Sequence, residues 1–138
     1  MNAALALQIA LRERLLGTPA VIDLVPADHI LDRNQRPNPD PSIILGEAQE
    51  LDDDDSLDRR LVRIYHTLHV WRQEPSLEGV TAIMGAVRTA ALAGRLALSP
   101  GFHCVDLRVA SSRAMRDPDG ETSHGVMTLE ARIQEVET

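Results

Sequence analysis

The run from Arg60 to Arg72, RLVRIYHTLHVWR, alternates apolar and polar side chains over thirteen residues. A period of two is the signature of a β-strand, and a strand this long and this regular cannot be rearranged cheaply. Val62, Ile64, Leu68 and Val70 share one face, interrupted by His66; Arg63, Tyr65, Thr67, His69 and Trp71 share the other. A one-residue slip would exchange the two sets, so the chain must build a sheet with one face buried and the other turned to solvent or a partner.

The remaining elements follow from similar arguments. Ala3 to Leu16 is rich in Ala, Leu and Arg, strong helix formers, and Gly17 stands where a left-handed C-terminal cap is expected. Thr18 and Pro19 then predict a single turn over Ala20 to Leu24, ended by Pro26. His29 to Asp32 offers a short strand. Arg33 to Ser42, with Pro37, Pro39 and Pro41, predicts an extended arm or loop instead of a packed element. Ile43 to Leu51 reads as a strand, joined to the long one by a loop over Asp52 to Asp58. Pro75 and Ser76 open a second helix over Leu77 to Leu92, where Leu77, Val80, Met84, Val87 and Ala91 recur at helical steps before Gly94. A closing hairpin pairs Cys104 to Arg116, in which Val105, Leu107 and Val109 alternate, against Glu121 to Val136, in which Met127, Leu129, Ala131 and Ile133 alternate. Asp117-Pro118-Asp119-Gly120 makes its turn. The expected fold is α+β, with two main helices packed on one face of a four- to five-stranded, mainly antiparallel sheet in one domain over 1–138.

Composition narrows the function. With 43% apolar and 25% charged residues, a chain of this length buries on the order of 70% of its unfolded surface, enough for a core without staples. Cys104 is the single cysteine, so an intrachain disulfide and a Cys-pair zinc site are excluded and a reducing compartment is expected. The N-terminal stretch lacks a basic leader and no apolar run approaches membrane-spanning length, so neither export nor membrane insertion is expected. A formal charge of −7, from 21 acidic and 14 basic residues, gives no electrostatic support to sequence-independent nucleic-acid binding. All the basic residues are arginines, a bias that GC-rich coding produces as readily as an interface does. Tyr65, Trp71 and Phe102 are too few for a base- or sugar-stacking platform.

Candidates for chemistry fail on spacing. His66 and His69 lie three apart on a strand, so their rings point to opposite faces; both read as ordinary surface or edge histidines. His103 and Cys104 diverge for the same reason, and the cysteine reads as a small core residue. The run Asp52 to Asp55, with Asp58, lacks the glycine and closing glutamate of a calcium loop and reads as exposed and solvated. Gly79, Gly85 and Gly94 form no phosphate-binding pattern. No catalytic residue, cofactor or metal is expected.

Taken in order, several segments resemble a known family. The Ala/Leu-rich first helix, IILGEA at Ile43 to Ala48, LHVW at Leu68 to Trp71, the AVRTAL-like stretch Ala86 to Leu92, and Arg116-Asp117-Pro118-Asp119-Gly120 followed by Thr122 and His124-Gly125-Val126 are similar to the small tail-terminator or tail-completion proteins of siphophages and related gene transfer agents. The proline-bearing arm departs from that pattern. The resemblance implies an architectural protein, not an enzyme: a ring, hexameric in the family, at the head-proximal end of the tail. Its partners would be copies of itself, the tail tube protein and the head-tail connector, with DNA passing through unbound and no membrane involved.

On that footing Arg59, Arg60 and Arg63 are expected to make charged contacts between subunits, with Tyr65, His69 and Trp71 beside them as anchors. Asp117, Asp119 and His124 mark a hairpin end placed to dock on the tube or connector. Asp52, Asp53, Asp54 and Asp55 would face the DNA conduit and repel phosphate. Two other readings stand beside this one: a head-tail connector, and a small metal- or ligand-binding α+β domain built on His66, His69, His103 and Cys104.

Overall fold

A computed structural model describes residues 1–35, 37–53 and 57–137. Helix α1 (Ala3–Leu16) is capped by Asn2, whose Oδ1 accepts from the Leu5 amide at 2.9 Å, and it buries Ala3, Ala6, Leu7, Ala10, Leu11 and Leu15 as one stripe. Gly17 does not adopt the expected left-handed cap. Its φ is −88°, and the chain steps directly into a one-turn helix α2 (Pro19–Ile22), while the Thr18 hydroxyl donates back to the Arg14 carbonyl at 2.7 Å. With no reversal of direction at this point, positive φ is not required.

A 3₁₀ turn (Ala27–His29) leads into β1 (Ile30–Leu31), which runs parallel to the start of β2 (Ser42–Asp52). β2 pairs antiparallel with β3 (Leu61–Gln73), the long alternating strand. Helix α3 (Glu78–Ala91) follows, then the hairpin of β4 (Phe102–Arg116) and β5 (Thr122–Glu135). β5 inserts between β3 and β4, so the five-stranded sheet has the order β1-β2-β3-β5-β4 and only the β1 pairing is parallel. This is the expected α+β class, with Ser42 belonging to the strand and not to the arm.

α1 and α3 cover one face. Val80, Ile83, Met84, Val87, Ala90 and Ala91 of α3 meet the inward residues of β3 and β5 in one continuous core. Gly125 makes the close approach possible: a Cβ there would run into Met84 Sδ. The start of α3 is capped by Glu74, whose carboxylate accepts from the amides of Gly79 at 2.6 Å and Val80 at 2.8 Å, while Ser76 Oγ accepts only from Glu78.

β4 departs from simple alternation. Register shifts between Cys104 and Asp106 and between Val109 and Ser111 mark two bulges, and the first turns Val105 outward to 44% exposure while Cys104 is buried. Val105 thus leaves the alternation expected of it with Leu107 and Val109, which pack partly buried against the core. The expectation for His66 is corrected. It is no surface or edge residue but wholly buried beneath the helices.

Candidate functional site

The uncovered sheet face divides into two clusters. They are separated by Thr67 and Thr128, directly paired across β3 and β5 with their hydroxyls 3.3 Å apart.

The first cluster is ionic. Arg63 on β3 faces Arg132 on β5, and the like charges are reconciled by Asp53, which follows β2 and lies between them: its Oδ2 is 3.6 Å from Arg63 Nη2 and accepts from Arg132 Nε at 3.1 Å. Glu130, paired across the ladder with Tyr65, lies 3.3 Å from Arg63 Nε on one oxygen and forms an ion pair with Arg108 of β4 through the other. Both carboxylates are buried, Asp53 at 2% and Glu130 at 7% side-chain exposure, whereas the arginines remain partly in water. The guanidinium forks thus cap two carboxylates withdrawn from solvent, a task suited to Arg and not to Lys. Asp53 is consequently not the exposed acid expected of the 52–55 run. Asp52 is exposed, and Asp54 and Asp55 lie outside the described residues.

The second cluster is aromatic and titratable. Trp71 and His124 stand opposite each other in the ladder, and their rings stack at 3.7 Å between centroids and 7° between planes. His124 Nε2 lies 3.0 Å from His69 Nδ1, and His69 Nε2 lies 3.2 Å from Glu47 Oε2. The imidazole centroids are 5.2 Å apart with planes 24° from parallel, a separation close to the nitrogen contact plus two ring radii. The nitrogens therefore point at each other along an N–H···N line, leaving no room for an ion between them. Glu47 is held below the usual carboxylate range, first by its own backbone amide and then by His69. With Glu47 ionised and both imidazoles neutral, the tautomers that satisfy both contacts have His69 donating from Nε2 and accepting at Nδ1 from His124 Nε2–H. Burial, and then the charge His69 would carry, push His124 below the ordinary imidazole value.

Gly46 permits this arrangement, since a Cβ there would come within 2.9 Å of the His69 ring and 3.1 Å of the Thr67 carbonyl. The arm passes alongside. Asp32, Asn34 and Asn38 with Glu47, His69, Trp71 and His124 line a cleft of about 550 Å³. On the other side of Trp71, a cleft of about 480 Å³ lies between Pro37–Asp40 and Asp117 and Asp119 of the hairpin end. The arm is tied back to its own sheet: Asp40 Oδ1 accepts from the Gln73 amide at 2.8 Å, and His29 Nδ1 contacts the Pro41 carbonyl at 2.8 Å.

The hairpin end is rigid. Arg116 donates to the carbonyls of Ser76 and Gly120 and to Ser123 Oγ, at 2.9 to 3.0 Å. Asp119 accepts from the amides of Glu121 and Thr122 and from the Thr122 hydroxyl, which together draw its carboxyl down. Asp117 Oδ2 in turn accepts from the Asp119 amide at 3.2 Å.

Of the residues singled out from the sequence, the structure brings His69, Trp71 and His124 together and sets Arg63 and Tyr65 on the same face. Arg59 and Arg60 stay apart from them. Arg59 is exposed with φ of 60°, and Arg60 pairs with Glu137 at 3.7 Å near the far end of β3. Glu47, Asp53 as an ion-pair centre, Arg108, Glu130 and Arg132 were missed; their alternation is visible in the sequence, but the β3–β5 register that makes them neighbours is not. The four residues offered for a metal- or ligand-binding domain are scattered, with His66 in the core, His69 on the open face, His103 exposed and Cys104 buried. Burial pushes the Cys104 thiol up, away from the thiolate. Among the described residues no group of three or more His, Cys, Asp or Glu could hold a metal ion.

The architecture is that of a one-sided α+β sheet with a built polar and aromatic face, a scaffold for contact. The sequence model of the tail completion protein gp17 family matches residues 9–134, and the chain belongs to that family. It is a structural component of phage-type tails. Among solved structures, a chain of the virion of a native gene transfer agent particle is 21% identical and covers 95% of this chain and 96% of its own, with a TM-score of 0.77. The gp17 protein of bacteriophage SPP1 is 21% identical over 99% of this chain and 92% of its own, with a TM-score of 0.60. At that identity the two likenesses establish the fold. No curated protein sequence matches significantly.

Proposed function

We propose that this chain terminates a phage-like tail: copies of it form a ring, with six as the expected number, that caps the tail tube, joins it to the head-proximal connector and lets DNA through without specific binding. The observation that carries the reading is the family match over 9–134. The solved relatives agree with it, one being a chain of a gene transfer agent virion. The open face supplies what such a part needs, namely a preorganised surface on a rigid sheet.

In this reading Tyr65, His69, Trp71 and His124 meet a neighbouring subunit, with Arg63 at the border, and the clamped end bearing Asp117 and Asp119 meets the tube or connector. Arg59 and Arg60, near the far end of β3, contact a second neighbour. Asp52, Asp54 and Asp55 face the bore and keep phosphate from adhering, while Asp53 serves the sheet instead. Imaging of the particle neck, with sedimentation of the purified chain alone and with tail tubes, tests the reading. Density for this chain in a ring between tube and connector supports it; its absence from purified particles defeats it.

A further inference from the structure

The sheet has two outer edges that are largely unpaired. β1 covers β2 only at Ile43 and Ile44, so among the described residues Ala48–Asp52 has no strand paired on its outer side, and it is exposed on both faces. β4 is the last strand on the opposite side.

Three properties make these edges complementary to each other and not to themselves. The first is charge. The outer half of β2 carries Glu47, Glu50 and Asp52 without a base, whereas β4 carries Arg108, Arg113 and Arg116 against Asp106. Pairing β2 with β2, or β4 with β4, would oppose like charges. The second is direction. Three successive antiparallel pairings make β4 run opposite to β2, so two copies side by side in one orientation set β4 of the first antiparallel to β2 of the second. The third is height. Leu51 pairs with Arg63, Arg63 with Arg132 and Arg132 with Asp106, which places Leu51 on the row of the first β4 bulge, where Val105 turns outward. Leu51 and Val105 are each 44% exposed.

The bulges would ordinarily discourage edge pairing. Here they bracket one regular stretch, Asp106–Val109, whose rows coincide with Leu51, Glu50, Gln49 and Ala48. They limit the pairing and fix its register.

We propose that Ala48–Leu51 of one copy adds antiparallel to Asp106–Val109 of the next, with Leu51 against Val105, joining the sheets of successive subunits. Such a contact is heterologous and closes into a ring when the rotation allows. The proposal rests on the ring reading and adds the strand edges to the surfaces that build it.

The test is a cysteine pair, Leu51→Cys with Val105→Cys, in a Cys104→Ala background. Under mild oxidation the assembled chain with both cysteines gives a ladder of covalent oligomers, and neither single cysteine does. Adding Gln49→Arg, which this register sets directly opposite Arg108, reduces the ladder, whereas Gln49→Glu at the same position keeps it. Protein that sediments as an oligomer without a ladder, a ladder from one cysteine alone, or a ladder indifferent to Gln49→Arg overturns the edge pairing and leaves the ring intact. A chain that stays monomeric at every concentration and on tail tubes defeats the ring reading and the pairing with it.

Discussion

The two halves of the open face are built from similar raw material and end in different states. In the Arg63–Asp53–Arg132–Glu130–Arg108 half, buried carboxylates are each met by two guanidiniums, so the groups are occupied and the cluster fixes the ladder and the end of β2. In the Glu47–His69–His124–Trp71 half, the acid is 71% exposed, His124 is held below the ordinary imidazole value, and one wall is a cleft. Burial of the acid separates them: a withdrawn carboxylate must be satisfied within the subunit, whereas an exposed one stays available to a neighbour.

That contrast sets an order of expected effects. Removing the acid at the ionic centre should be the most damaging change. Asp53→Ala leaves two arginines facing each other and should lower stability by about 2–3 kcal/mol in urea unfolding, short of a fully buried pair because the arginines reach water. A cost no greater than that of Glu47→Ala would erase the distinction. Next, Gly46→Ala, which drives a methyl toward the His69 ring, should cost about 1–2 kcal/mol and shift the His69 and His124 imidazole NMR signals while leaving the Arg63 cluster unchanged.

Acid should act on the aromatic half and the core beneath it. His66 is wholly buried with neither ring nitrogen hydrogen-bonded to any described residue, and burial lowers its pKa; His124 is lowered as well. Between each depressed folded value and the ordinary imidazole value of 6.5, the unfolded chain binds the extra proton. Stability is therefore full above that ordinary value and falls as the pH drops from there toward the folded values. His66→Leu removes an unsatisfied buried group, so it should match or exceed the parent by about 1 kcal/mol and flatten the acid limb of thermal unfolding. A limb as steep as the parent's would place the sensitivity elsewhere. The smallest effect belongs to the divider: Thr67→Val should cost less than about 1 kcal/mol by the same measurement.

Much of the fold was legible because period and turn chemistry are local. The alternation of β3, the helical stripe of α3 and the Asp117–Gly120 turn each specify their element within a few residues. The bulges of β4 were not legible, since an extra residue in a strand leaves no signal until its partner is known; the outward turn of Val105 follows only from that pairing. His66 was misread because a polar residue on an apolar face suggests an exception at the surface, while register and the covering helices keep it inside. His69, Trp71 and His124 were found separately, but their meeting depends on β5 lying beside β3, a long-range pairing that no short window contains. The ionic cluster escaped because it draws on four segments at once.

Trp71 is the single tryptophan of the chain and lies face to face with an imidazole. Its emission therefore comes from one known place, between two clefts at the proposed subunit contact. A protonated or displaced His124 would dim or brighten it, so docking of a neighbour could be followed in real time with ultraviolet light and no attached dye.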